Sequence, residues 1–160
     1  MARHPAPLLA AARAISAIRE RAATWNIDPE RVAVLGFSAG AHLAASLGTM
    51  WGDASLLDLM GEAPGLLRPD ALVLCYPVIS GGVHRHEGSF LNLTDGDTAL
   101  MEALSLEKRV SPETPPTFIW ATSEDQTVPV ENSILFAAAL AVAKVPFELH
   151  VFERGGHGLS

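Results

Sequence analysis

Ser38 is the centre of the pentapeptide Gly-Phe-Ser-Ala-Gly at residues 36–40, and its hydroxyl is a candidate nucleophile. An apolar run at residues 31–36 leads into the pentapeptide, and a helical pattern begins at residue 39. A serine on such a tight strand-to-helix turn is strained, and the turn projects its hydroxyl into solvent. The amino end of the following helix favours negative charge that develops nearby. The arrangement suggests nucleophilic attack by an oxygen, and the alternative is an ordinary strand–turn–helix junction capped by a serine.

The residues around Ser38 are small where such a turn needs room. The chain passes close to itself there, so the neighbours of the serine must be small. Gly36, Ala39 and Gly40 meet that need, and Phe37 completes the turn. The pentapeptide alone is a weak indication, and the strand before it and the helix after it are what favour a functional role.

A serine hydroxyl is a weak nucleophile and needs a base that a third group orients. His157 is the candidate base, in a Gly-Gly-His-Gly loop after an apolar run at residues 147–152. Asp125 is the candidate acid, just after an apolar run at residues 117–122, and Glu124 is its rival. We favour Asp125 because its position just beyond the strand end suits a turn that aims inward. The alternatives are a solvated loop histidine and an aspartate that caps a turn or helix.

The elements that must position these residues alternate along the chain. Short apolar runs are typical of parallel strands buried on both faces, and they lie at residues 31–36, 71–76, 117–122 and 147–152. Helical patterns cover residues 39–50 and 130–144, with Pro129 at the first turn of the second. This alternation predicts an α/β fold with a predominantly parallel sheet and flanking helices. All three candidates would then lie at the carboxyl ends of strands, where open α/β sheets place their sites.

Two further segments complete the chain. Residues 8–25 carry apolar side chains at helical spacing, and this pattern predicts an amphipathic helix rather than a signal peptide. The apolar positions are Leu8, Ala12, Ile15, Ile18, Ala22 and Trp25. Residues 81–114 break the alternation, and we interpret them as an insertion over one end of the sheet, with a short helix at residues 98–106. Residues 82–92 of this insertion are expected to shape a pocket for the acyl or alcohol part of a substrate.

Composition limits the class of protein. The chain has 160 residues, is 49% hydrophobic and 18% charged, and carries a net charge of −7. Its length suits one domain at residues 1–160, and its hydrophobic content excludes a disordered chain. The 11 lysines and arginines form no basic stripe, so we expect no nucleic-acid partner. Cys75 is the only cysteine, which excludes an internal disulfide, and no apolar run approaches the length of a membrane span.

Other residues with chemical potential have weaker patterns. His84 and His86 would share one face of a strand, with Glu87 adjacent, but no third ligand is evident and we expect no metal. His42 lies four residues after Ser38 and is interpreted as a packing or supporting residue rather than a catalytic one.

Several segments resemble the α/β-hydrolase superfamily, most of all its acetyl-esterase branch, which includes xylan and feruloyl esterases. They are DPERV (28–32), GFSAGAHLAA (36–45), CYPVIS (75–80), SEDQTVPVENSILFAAAL (123–140) and VPFELHVFERGGHGLS (145–160). The order serine, aspartate, histidine is also that of the superfamily. The resemblance implies Ser38 as nucleophile, His157 as general base and then acid, and Asp125 as the group that orients the imidazole and stabilises imidazolium. It also implies the N–H of Ala39 as an oxyanion-hole donor.

The function that the resemblance implies is hydrolysis of a carboxylic ester through an acyl-serine intermediate, with no cofactor. The expected substrate is a small short-acyl ester, such as an acetylated carbohydrate, with no membrane partner and a cytoplasmic location. Two alternatives stay open. One is a serine peptidase of the prolyl-oligopeptidase type, which normally carries a propeller domain, and the other is a non-catalytic fragment that only associates.

The resemblance covers the carboxyl-terminal part of the superfamily's fold. We find no strands before the first helix and no His-Gly-Gly-type motif, which in the family supplies a second oxyanion donor. Loss of one donor costs about 10² to 10³ in rate, so this chain alone is expected to be weakly active. The strand at residues 31–36 would have a free apolar edge. We expect this edge to pair with another chain, such as a second copy in a homo-oligomer, or to aggregate.

Overall fold

Parallel pairing joins the four apolar runs into one sheet in the computed structural model, which describes residues 2–159. The strands are β1 (Ala33–Phe37), β2 (Ala71–Cys75), β3 (Thr117–Thr122) and β4 (Phe147–Phe152), and their order across the sheet is their order along the chain. The register aligns Phe37, Cys75, Trp120 and His150 in one row, so all four strands end at the same edge. The predicted α/β fold with a parallel sheet is therefore confirmed.

Helices precede and connect these strands, and two of the longer ones lie close to the predicted ranges 39–50 and 130–144. They are α1 (Ala6–Glu20), α2 (Ala22–Trp25), α3 (Ala39–Met50), α4 (Ala54–Met60), α5 (Pro64–Leu67), α6 (Glu87–Thr94), α7 (Thr98–Ala103), a 3-10 turn (Leu106–Lys108) and α8 (Glu131–Val142). Sequence reasoning missed α4, α5 and α6, which are too short to show a clear apolar period. Pro129 lies before the helix rather than in its first turn, and its carbonyl accepts a hydrogen bond from the backbone N–H of Asn132 at 3.0 Å.

The amphipathic helix predicted at residues 8–25 is broken at Arg21, between α1 and α2. Leu8, Ala12 and Ile15 are buried as expected. Trp25 is 48% exposed, so its predicted place on the buried stripe is wrong. The break changes the angular position of the residues that follow it, and the Trp25 ring lies instead beneath the Arg21 guanidinium.

The two faces of the sheet differ. One face, here the covered face, packs against α3 and α8 through side chains that include Leu72, Leu74 and Ile119. The opposite face, here the open face, presents exposed apolar side chains: Leu35, Phe37, Phe118 and Phe152. Strand side chains alternate between faces, and these four belong to the opposite set from Leu72 and Ile119. The prediction that the strands are buried on both faces is therefore wrong for the described residues, which pack helices on one face.

The segment at residues 81–114 packs into the core through its own helices. Phe90 of α6 is 1% exposed, and Leu106 of the 3-10 turn is fully buried. The loop before α6 is tied to α8 by Asn132, whose amide nitrogen donates to the His84 carbonyl at 2.8 Å. This segment is therefore held firmly beside the carboxyl edge of the sheet.

Candidate active site

Ser38 lies between β1 and α3 in a conformation that side chains rarely adopt. Its φ is 53° and its ψ is −121°, and strain of this kind concentrates at functional sites. Its backbone N–H donates to the Cys75 carbonyl at 3.0 Å, and its own carbonyl accepts from the Val78 N–H at 3.2 Å. Hydrogen bonds to the end of β2 therefore hold the strained turn in place.

The need for small residues in this turn is strict at one position and absent at another. A Cβ added to Gly36 would overlap the backbone of Gly40 and lie 2.7 Å from the Cα of Ala41, so only glycine fits there. A Cβ added to Gly40 would meet nothing within 4 Å. The prediction that Gly40 must be small is therefore wrong. Phe37, the other member of the turn, points to the open face and is 42% exposed.

The structure brings Ser38, His157 and Asp125 together in one hydrogen-bonded chain. His157 Nε2 lies 2.8 Å from Ser38 Oγ, and His157 Nδ1 lies 2.7 Å from Asp125 Oδ2. A carboxylate accepts only, so Nδ1 carries the proton that it donates to Asp125. In the neutral imidazole Nε2 is then free to accept from the serine hydroxyl. The arrangement can remove a proton from the serine as the serine attacks an electrophile.

Asp125 is built to stay ionised. Its side chain is 1% exposed, and this burial by itself would raise the pKa of the carboxyl. Hydrogen bonds from His157 and from the backbone N–H groups of Val128 and Thr127 outweigh burial and hold the pKa of Asp125 below its usual value. The carboxylate therefore holds its charge and the orientation of the imidazole across the neutral range.

Glu124, the alternative candidate acid, binds the loop at Gly155 instead of the His157 imidazole. It is exposed, and its Oε2 accepts from the Gly155 N–H at 3.1 Å. The Gly155 carbonyl accepts a hydrogen bond from Thr122 Oγ1 at 2.7 Å. The φ of Gly155 is 131°, a value that favours glycine. Glu124 and Thr122 thus fasten the loop that carries His157, while Asp125 reaches the imidazole.

Ala39 is the first residue of α3 and is exposed beside Ser38. The first N–H groups of a helix have no acceptor within the helix, so the Ala39 N–H is free to bind an anion there. The amino end of α3 adds a favourable dipole for negative charge at the same place. An anion beside Ser38 would therefore meet both the Ala39 N–H and the positive end of the helix dipole.

A cavity of about 450 Å³ begins at this turn. Its wall includes Ala39 and Gly40 from the turn, His42 from α3, and Ser89, Phe90 and Asn92 from α6. Three of these residues, at positions 89, 90 and 92, belong to the range expected to shape a pocket. The cavity therefore extends from the residues directly after Ser38 to the inserted segment.

His42 is a buried neutral histidine in the cavity wall. Its Nδ1 hydrogen-bonds the Val78 carbonyl at 3.1 Å, and within residues 2–159 its Nε2 has no hydrogen-bond partner. Burial lowers the pKa of His42 to about 4. Its ring packs edge-on against Phe90, with 5.4 Å between centroids. These contacts suit a packing role.

The histidine pair of the insertion lies in the loop before α6 rather than in a strand. The His86 ring accepts from the Ser89 N–H at 3.2 Å and so caps α6. In residues 2–159, no group of three or more histidine, cysteine, aspartate or glutamate side chains is arranged to hold a metal ion. No helix in that same range is long and apolar enough to cross a membrane.

Tyr76 is a neighbour of the site that sequence reasoning did not single out. Its ring lies 4.9 Å from the His157 imidazole, centroid to centroid, with the two planes at 72°. Its sequence position could have indicated this role. Tyr76 ends an apolar run directly before Pro77, as the other site residues follow the ends of strands.

Comparisons with known proteins agree with this architecture. A family model described as alpha/beta hydrolase fold matches residues 1–160. The chain is 43% identical over 164 residues to endo-1,4-beta-xylanase B of Butyrivibrio fibrisolvens, covering 98% of this chain and 25% of that protein. It is 34% identical over 148 residues to an acetylxylan esterase of Xylanibacter ruminicola, covering 88% of this chain and 28% of that protein.

A solved structure likewise matches nearly all of this chain over part of its own length. The crystal structure of an acetyl ester-xyloside bifunctional hydrolase from Caldicellulosiruptor lactoaceticus superposes with a TM-score of 0.88 at 51% identity. That match covers 99% of this chain and 59% of the solved chain. This chain therefore spans little more than half of that structure and about a quarter of the two curated relatives.

Proposed function

This chain belongs to the α/β-hydrolase family, and from that premise we propose that it hydrolyses carboxylic esters through an acyl-serine intermediate. The observation that carries the proposal is the continuous chain of hydrogen bonds from Ser38 through His157 to Asp125. A nucleophile within reach of a base, which a third group orients, is the arrangement that activates a serine.

The proposed reaction starts with attack of Ser38 Oγ on the ester carbonyl carbon while His157 Nε2 takes the hydroxyl proton. The tetrahedral intermediate places its negative oxygen toward the Ala39 N–H. When it collapses, the bond to the alcohol oxygen breaks, and imidazolium gives that oxygen its proton. Water then attacks the acyl-serine as His157 takes one of its protons. The bond from the acyl carbon to Ser38 Oγ breaks, imidazolium returns the proton to Oγ, and the acid leaves. Asp125 stays ionised and stabilises the imidazolium at each step.

The proposed substrate is a small short-acyl ester, such as an acetyl group on a carbohydrate. The printed names of the relatives support this class, since they include an acetylxylan esterase and an acetyl ester-xyloside hydrolase. The cavity between Ala39 and α6 supports it further, because it offers space beside Ala39, the residue that follows Ser38, for one part of an ester. Residues 82–92 would then shape the pocket.

We propose that this chain alone hydrolyses esters slowly. We assign one oxyanion donor, the Ala39 N–H, from the described residues. Removal of one donor from a two-donor site costs about 10² to 10³ in rate, or about 3 to 4 kcal/mol. Serine-directed labelling tests this point, because labelling as fast as that of a full-length esterase would contradict it.

The test of the function is burst and turnover on p-nitrophenyl acetate, with wild type compared to Ser38→Ala. The variant is essential because surface histidines and lysines also hydrolyse this ester slowly. We expect turnover that disappears in Ser38→Ala and remains in His150→Ala, whose histidine is exposed on β4. Equal slow hydrolysis by wild type and Ser38→Ala would overturn the proposal. A matched anilide substrate separates an esterase from a peptidase.

A further inference from the structure

We propose that Tyr76 is a positioning residue for His157, an inference that rests on the proposed function. The two rings meet edge to face, with centroids 4.9 Å apart and planes at 72°. This is a preferred geometry for aromatic pairs. The imidazole is thus held on three sides, by Ser38 at Nε2, by Asp125 at Nδ1 and by the Tyr76 ring.

Tyr76 is itself firmly placed. It is 7% exposed, and its backbone N–H donates to the Trp120 carbonyl at 2.6 Å. The Trp120 ring packs edge to face against it at 5.1 Å, and Phe37 lies 6.0 Å away. Phe37 directly precedes Ser38, so the Tyr76 ring contacts both the strand end that carries the nucleophile and the imidazole of the base.

The backbone at Tyr76 disfavours a large side chain. Its φ is 37°, in the left-handed region that favours glycine. The residue before a proline, here Pro77, is normally extended. An aromatic ring held at such a position indicates that the ring has a use, because strained residues persist where the surrounding structure or the function needs them.

The use that the geometry supports is control of imidazole orientation. His157 must take a proton from Ser38 and deliver it to the leaving alcohol. The direction of Nε2 therefore affects the rate of the chemical step and not the affinity for substrate. A small displacement of a reacting group costs up to about 10²-fold in rate. The Tyr76 ring packs edge to face against the imidazole and so restrains its rotation. The contact is made by the ring, so phenylalanine preserves it.

The test compares Tyr76→Leu and Tyr76→Phe, with Phe118→Leu as a matched control. Phe118 is an aromatic residue of β3, and its ring packs against His150 rather than against His157. We expect Tyr76→Leu to lower kcat by about 10- to 100-fold with KM changed less than about twofold. Tyr76→Phe and Phe118→Leu should keep kcat within about twofold of wild type. Tyr76→Gly, which accommodates the backbone, replaces Tyr76→Leu if that variant does not fold.

A second readout separates this inference from the proposed function. The proton on His157 Nδ1, hydrogen-bonded to Asp125, is observable by proton NMR at low field whether or not the chain turns over an ester. We expect Tyr76→Leu to broaden or shift that resonance and Tyr76→Phe to retain it. Unchanged kcat and resonance without the ring would overturn the role of Tyr76. Absence of Ser38-dependent turnover in wild type would instead overturn the proposed function.

Discussion

The carboxyl edge of the sheet and its open face are made by the same four strands. Polar side chains at the edge are hydrogen-bonded to one another, whereas apolar side chains on the open face remain exposed to solvent. At the edge, Ser38, His157 and Asp125 are joined by hydrogen bonds of 2.7 to 2.8 Å. On the open face, Leu35 and Phe152 are each 56% exposed. The polar site depends on short loops that hydrogen bonds hold at strand ends, so it assembles with one face of the sheet uncovered. Burial of the open face needs whole elements packed against it.

The sharpest test of the edge is Asp125→Asn. An amide in place of the carboxylate would favour the wrong tautomer of His157, and we expect kcat to fall by about 10⁴-fold. Steady-state hydrolysis of p-nitrophenyl acetate measures this change. Glu124→Gln is the matched control, because the Glu124 carboxylate accepts from the Gly155 N–H rather than from His157, and it should lose less than about tenfold. A Glu124→Gln variant as impaired as Asp125→Asn would refute the assignment of the acid.

Gly36→Ala tests the turn between β1 and α3 that carries Ser38. The added methyl would overlap backbone atoms of α3, which cannot move aside as a side chain can. We expect a loss of about 3 kcal/mol in the free energy of unfolding, measured by urea denaturation. Gly40→Ala, where a methyl meets nothing, should change it by less than about 1 kcal/mol. Equal effects of the two substitutions would contradict the described turn.

His42 predicts how stability depends on pH. Its pKa is about 4 in the folded chain against 6.5 when unperturbed, so below pH 6.5 the unfolded chain binds a proton that the folded chain does not. Stability is therefore lost as pH falls from about 6.5 to about 4, by about 3 kcal/mol at 1.36 kcal/mol per unit of pKa. The depressed pKa of Asp125 adds a further loss below its unfolded value, near pH 4.

Urea denaturation from pH 7 to pH 4 measures this dependence. His42→Gln should remove its share of this loss, while His4, whose pKa burial also lowers, keeps a share of its own. His150→Gln, at an exposed position, is the matched control. A wild-type stability that stays flat between pH 6.5 and pH 4 would contradict the buried neutral state of His42.

Leu35→Lys tests the open face and should have the smallest effect on the folded chain. Leu35 lies on β1, whose outer edge is unpaired within the described sheet, and exposed apolar edge strands associate. We expect wild type to self-associate with increasing concentration in sedimentation velocity, and Leu35→Lys to reduce this. Val142→Lys, at an 86% exposed position on α8, is the control that should not. A wild type that stays monomeric would refute the expected homo-oligomer.

Local patterns predicted the elements best where the chain marks them clearly. The ranges of β3, β4 and α3 were predicted as the structure has them, because prolines and glycines bound these strands and the alanine-rich run suits a helix. The helices α4 to α6 were missed because tertiary contacts stabilise such short segments more than their own sequence does. Trp25 was misplaced for a related reason, since a break at Arg21 changes the helical phase.

The sequence by itself determined the succession of strands and helices along the chain, the small residues around Ser38, and the candidates Ser38, Asp125 and His157. Those properties follow from residue types and short spacings. Only the tertiary structure showed that the turn strictly requires glycine at residue 36 but not at residue 40. It alone also showed that Glu124 binds the loop at Gly155, that Tyr76 packs against the imidazole, and that one face of the sheet stays open. Ser38 and His157 lie 119 residues apart, and the distance between them depends on strand register and loop anchoring, which no local pattern encodes.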